Sequence, residues 1–111
     1  MARALTVGIA TLDIINTVAR YPEEDSEVRA SAQQWRRGGN ASNTAVVLQQ
    51  LGEQCSWVGT LADDAASAFI RSDLAQQEVN LDAAQVVTGG RTPTSYVTLS
   101  AENGSRSIVH F

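Results

Sequence analysis

No lysine occurs anywhere in this chain; all eight basic residues are arginine. That absence excludes a Walker-type phosphate loop, a Schiff-base lysine and a lysine general base within these residues. Histidine and cysteine each occur once, as His110 and Cys55. A metal centre needs several such ligands, so no metal site is assigned. Cys55 stands in the apolar stretch "CSWVG", where a buried thiol is expected rather than a nucleophile. The strained serine turn of α/β-hydrolases is missing too, which removes Ser/His/Asp chemistry. No apolar run approaches the length of a membrane span. The opening "MARALTVGIA" has neither a signal-peptide apolar core nor a small-residue cleavage site, which reads as a cytoplasmic protein with no membrane partner. The net charge is −4 and the positive charges are scattered, so no basic face is offered to nucleic acid.

What is present has the pattern of an α/β protein. At 111 residues with 43% hydrophobic content, the chain suffices for one small domain and not for two. The run "ALTVGIA", residues 4–10, is expected to be a parallel strand buried on both faces. It leads into "TLDII", which puts Asp13 at or just past the strand's carboxyl end, where open α/β sheets bind ligands. A cap or turn role is the plain alternative for Asp13. "INTVAR" and "EVRASAQQW" alternate moderately and are joined by the turn "YPEEDS". "CSWVGTL" is a second buried strand, after which Asp63 or Asp64 caps a helix with Phe69, Ile70 and Leu74 on its apolar side. "VNL" and "AQVV" form a short strand region, and two strand-like runs flank Asn103 and Gly104, a hairpin signal. Strands alternating with helices indicate an α/β core. The hairpin-like pairs at 14–36 and 94–111 do not belong to it and suggest a separate antiparallel sheet. Phe111 stops in mid-strand with too few core strands for a doubly wound sheet, so the N-terminal piece of a longer protein is expected.

The stretch "WRRGGNASNTAVVLQQLG", residues 35–52, joins two patterns. Thr44, Val47, Leu48 and Leu51 fall at i, i+3, i+4 and i+7, an amphipathic helix that Gly52 stops. Ahead of it come Gly38, Gly39, Asn40 and Asn43. Ordinary capping accounts for one asparagine and one glycine. The second asparagine is left over, and paired glycines suggest that something approaches the backbone closely.

"VGIATLDII", "YPEEDSEVR", "WRRGGNASN" and "NGSRSI" together resemble the N-terminal third of a ribokinase-type (PfkB) carbohydrate kinase, most narrowly the ketohexokinase branch. The resemblance covers the whole chain. It implies part of a Rossmann-like, doubly wound sheet with a protruding antiparallel β lid. The partial core would comprise 1–13 and 37–93, the lid or clasp 14–36 and 94–111, and the nucleotide-binding half would be absent. Gly39, Asn40 and Asn43 would contact a sugar, with Asp13 accepting hydrogen bonds from its hydroxyls. Asp25 would reach the sugar site of a partner subunit in a homodimer joined through the lids; a solvated acidic turn is the alternative. Arg106 would lie near the transferred phosphate, or else be a solvated strand residue. The implied reaction is transfer of the ATP γ-phosphate, with Mg²⁺, to a ketohexose such as fructose. The catalytic aspartate and the adenine pocket would lie in the missing half, leaving this piece inactive alone. Another sugar or a nucleoside as acceptor stays open, as does a non-catalytic sugar-binding or dimerising module. A dehydrogenase does not fit, because "VGIATLD" lacks the glycine-rich fingerprint.

Overall fold

The structure is a computed structural model and describes residues 3–111; residues 1 and 2 of the expected core lie outside the described residues. The chain divides into two units, one comprising residues up to Leu12 with Arg37–Pro93, the other Asp13–Arg36 with Thr94–Phe111.

The first unit contains β1 (Arg3–Val7), α1 (Asn40–Gln50), β4 (Gln54–Val58), β5 (Thr60–Ala62), α2 (Ala65–Gln76) and β6 (Gln85–Val87). β1 pairs in parallel with β4, from Arg3 opposite Gln54 to Val7 opposite Val58. β5 pairs in parallel with β6, from Thr60 opposite Gln85 to Ala62 opposite Val87. Parallel neighbours require a crossover, and α1 and α2 supply the helical parts of those connections. Helices and strands enclose a core of Ala45, Val46, Cys55, Trp57, Ile70 and Leu74. Burial pushes the Cys55 thiol up from its ordinary pKa, as suits an inert core thiol.

Three features of this unit differ from the expectations. The run at 4–10 is not one strand buried on both faces: β1 ends at Val7, and Leu5, Val7 and Ile9 are exposed, Val7 by 70%. Ala4 packs against the core on the other side, so alternation has returned where a continuous apolar run suggested none. The buried face of α1 is Ser42, Ala45 and Val46, whereas Val47 and Leu51 face outward, Leu51 by 73%. Small residues let this helix lie close: a Cβ built on Gly8 would stand 2.8 Å from Ala41 Cβ. The expected strand "CSWVGTL" is broken at Gly59, where an added Cβ would meet Gly8 O at 2.4 Å and the Trp57 ring at 2.5 Å. No side chain fits there.

Helix α2 starts as expected, with Asp64 as its cap. One carboxylate oxygen accepts from Ser67 N at 2.8 Å and from the Thr92 hydroxyl, and the other accepts from Thr92 N at 3.0 Å. The helix start is thereby tied to the segment preceding β7 (Thr94–Ser100). The Thr92 hydroxyl, more than any other neighbour, holds the Asp64 carboxyl below the usual aspartate range. Because the folded-state pKa is depressed, these bonds stabilise the fold above the ordinary aspartate value of about 4. The contribution is lost as pH falls through the folded value. Asp64→Ala is expected to cost about 1–2 kcal/mol at neutral pH, with the gap from wild type closing in acid. Thermal melts between neutral pH and about pH 2.5 check this; a gap that persists unchanged in acid would refute the assignment.

The second unit is a four-stranded sheet in the order β3-β2-β7-β8. Here β2 is Thr11–Val18, β3 is Ala32–Gly38 and β8 is Arg106–His110. β7 and β8 are antiparallel, Ser95 opposite His110 and Leu99 opposite Arg106. The turn between them uses Gly104 at φ 72 and an Asn103 side chain that accepts from Ser105 N at 3.1 Å. "EVRASAQQW" is shorter as a strand than expected, since β3 begins only at Ala32. The preceding chain is held instead by Ser31 N donating to Thr17 O at 2.8 Å.

Candidate functional site

β3 runs straight into α1 through Gly38 and Gly39, and the conformation of Gly39 decides the geometry. Its φ of 99° and ψ of 131° lie in a region that only glycine enters readily. An added Cβ would stand 2.3 Å from Ile9 O and 2.9 Å from Ala10 Cα. The close approach expected at the glycine pair is therefore made, at Gly39, by the chain's own Ile9 and Ala10. Gly39 is also the N-cap, with no side-chain capping bond. Asn40 and Asn43 do not cap: Asn40 opens the helix and Asn43 stands one turn inside it, its N–H donating to Gly39 O at 2.9 Å. Both side chains are exposed. They are free of the structural duty that the residue types suggested.

Beneath them lies a polar network built on Arg37. Its Nε donates to Asp73 Oδ2 at 2.7 Å, and its Nη1 donates to Ser42 Oγ at 2.8 Å and to Asn43 Oδ1 at 2.7 Å. Ser42 is fully buried, and its hydroxyl faces Gly38 O at 2.7 Å and Gly39 O at 3.1 Å. Asp73 lies on α2, so one guanidinium pins the start of α1 to a second helix. The sequence marks Arg37 only as one of two adjacent arginines before the glycines. Its six-residue separation from Asn43 spans a strand end and a helix start, and matches no periodicity that could have exposed the pair.

The remaining expected residues belong to the second unit. Asp13 is half-buried inside β2, three positions into a separate strand rather than at the end of β1, because the chain breaks at Gly8 and restarts at Thr11. Asp25 is exposed in the turn after Tyr21, at φ 59, a left-handed conformation that aspartate tolerates better than most residues. Arg106 is exposed at the start of β8. β7 lies between β2 and β8, so at least two strand spacings, roughly 10 Å, separate the backbones of Asp13 and Arg106.

A cavity of about 570 Å³ opens in the first unit near Gly8, Ile9, Gly59, Thr60 and Arg91. None of Gly39, Asn40 and Asn43 lines it, and Val7, Val58, Leu61 and Val87 make it largely apolar. Such walls do not match a polyol, whose hydroxyls need fixed polar partners. Among the described residues no three His, Cys, Asp or Glu side chains group as metal ligands. No helix of the described residues is long and apolar enough to cross a membrane.

Residues 1–111 match the family model described as pfkB family carbohydrate kinase. The chain is 43% identical to ketohexokinase of Mus musculus over 105 residues, covering 95% of this chain and 35% of that protein. It is 28% identical to ribokinase of Bacillus subtilis over 109 residues, covering 98% and 36%. Among solved structures, ribokinase of Arabidopsis thaliana, complexed with ribose and ATP, matches with a TM-score of 0.86 and 30% identity, covering 100% of this chain and 36% of that one. The chain thus spans about a third of the length of these relatives, and its α/β fold is that of the ribokinase-like proteins. Matched from end to end by the family model, the chain belongs to the pfkB family of carbohydrate kinases.

Proposed function

We propose that this chain provides the sugar-binding side of a cytoplasmic, ATP-dependent kinase that phosphorylates a ketohexose such as fructose. The observation that carries the proposal is the start of α1, where Asn40 and Asn43 are exposed and uncommitted to capping. The 43% identity to a ketohexokinase across 95% of the chain supports the choice of sugar. Gly39, Asn40, Asn43 and Asp13 are the sugar contacts in this reading. A carboxylate accepts from sugar hydroxyls while amides donate to their lone pairs, a division that suits polyols. The sheet of the second unit acts as a lid and as a clasp between two copies, with Asp25 entering the partner's sugar site and Arg106 near the phosphate. Exposed Trp35, Tyr96 and Val109 on that sheet support an interaction role. The adenine pocket, the catalytic base and the groups that hold Mg²⁺ belong to sequence beyond these 111 residues.

A pentose is the second reading, favoured by the 30% identity to a ribokinase solved with ribose. The complete protein, assayed with MgATP against fructose, ribose and adenosine, separates the two. Fructose is expected to be used with kcat/KM at least about tenfold above the others, and phosphorus NMR should show the product phosphorylated at C1. The 111-residue chain alone is expected to transfer no phosphate. A preference for ribose or adenosine would reject the ketohexose assignment, and turnover by the isolated chain would reject the division of labour.

A further inference from the structure

The asparagine amide of Asn43 has two possible orientations, and only one is compatible with its neighbour. Guanidinium groups donate hydrogen bonds and accept none. Since Arg37 Nη1 lies 2.7 Å from the Asn43 amide, the atom facing it must be Oδ1, as found. The nitrogen, with two protons, is then turned away from Arg37, and it donates to nothing among the described residues. The orientation is not left to chance. The Arg37 side chain is only 10% exposed, and Asp73 holds its Nε at 2.7 Å. The same Nη1 also meets the buried Ser42 hydroxyl at 2.8 Å. Three partners on two helices leave the guanidinium one position.

We propose that Arg37, clamped by Asp73, is a positioning residue that fixes Asn43 as a hydrogen-bond donor to the substrate. The inference rests on the sugar-site reading above and adds a direction to it: the hydroxyl held by Asn43 must offer a lone pair. A site whose amide could rotate would present either atom at that point; this one presents the nitrogen, which only donates. Hydroxyls held by Asp13 meet the opposite demand, because a carboxylate only accepts.

A double-mutant cycle in the complete protein tests this. Asn43→Ala is expected to raise the KM for fructose about tenfold, and Arg37→Met to raise it by a similar factor, with kcat changing much less. In the Asn43→Ala background, Arg37→Met should have no further effect on KM, although it still lowers the melting temperature. A residue that merely supports the fold would not show that loss of effect. Asn43→Asp gives a second reading: it keeps an acceptor for Arg37 but removes the donor, so the melting temperature should hold while KM rises. If Arg37→Met fails to fold, Asp73→Asn, which loosens the clamp without removing the guanidinium, takes its place in the cycle. Equal KM effects of the Arg37 or Asp73 change with and without Asn43, or an Asn43→Asp protein with wild-type KM, would overturn the relay alone. If Asn43→Ala itself leaves KM unchanged, the sugar-site reading falls and the relay with it.

Discussion

Asp13→Ala in the complete protein is expected to lower kcat/KM for the sugar by roughly two to three orders of magnitude while ATP affinity stays within about twofold. The estimate is a loss of about 3–4 kcal/mol, the value of two charge-assisted hydrogen bonds shielded from water. Asp13 is half-buried within β2, so an ion-dipole contact there is screened less than one on the open surface. Steady-state kinetics with fructose, beside nucleotide titration by calorimetry, give the two numbers. A drop of less than about threefold in kcat/KM, or a parallel loss of ATP affinity, would count against the assignment. The same variant resolves the part played by Asp25. Mixing Asp13→Ala subunits with Asp25→Ala subunits creates dimers in which the intact Asp13 site receives an intact Asp25, provided that Asp25 acts across the interface. One furnished site per mixed dimer should then recover sugar affinity. Mixed dimers without recovery would place Asp25 within its own chain or outside the reaction.

Gly39→Ala is expected to abolish most of the stability of the first unit. Two costs coincide at this position. A non-glycine residue held at φ 99 carries roughly 1–3 kcal/mol of backbone strain. A Cβ placed 2.3 Å from Ile9 O and 2.9 Å from Ala10 Cα has backbone on its far side, which cannot rotate away. Overpacking of that kind adds roughly 1–3 kcal/mol or more, against a total stability of about 5–15 kcal/mol for a domain of this size. Gly52 supplies the control. Its φ is 91°, yet nothing lies within 4 Å of an added Cβ, so Gly52→Ala should cost only the conformational part. Urea denaturation of both variants checks the difference, and equal midpoints would show that the approach of Ile9 and Ala10 to Gly39 does not constrain the fold.

Much of the architecture was legible because it depends on local pattern. Apolar runs separated by helical stretches gave the alternating order, Asp64, one of the two aspartates expected to cap α2, does cap it, and Asn103 with Gly104 marked the β7–β8 turn. The motif "GGNASN" identified the start of α1, since glycine and asparagine at a strand-to-helix junction are restrictive choices. What misled was also local. Thr44, Val47, Leu48 and Leu51 satisfy a helical stripe as well as any set, yet the helix turns Ser42, Ala45 and Val46 inward. Close packing against Gly8 rewards small side chains over large ones at that contact, and periodicity counts only hydrophobicity.

By itself the sequence determined the fold class, the place of the glycine-asparagine turn and the kinship with carbohydrate kinases, each encoded in residues near one another in the chain. Only the tertiary structure decided why Gly39 must be glycine, because the atoms that crowd it belong to Ile9 and Ala10, far away along the chain. Only it decided which way Asn43 faces, because the groups that hold Arg37 come from α1 and α2 together. Hydrogen-bond direction is a property of partners in space. Residue spacing along a chain carries no record of it until the chain has folded.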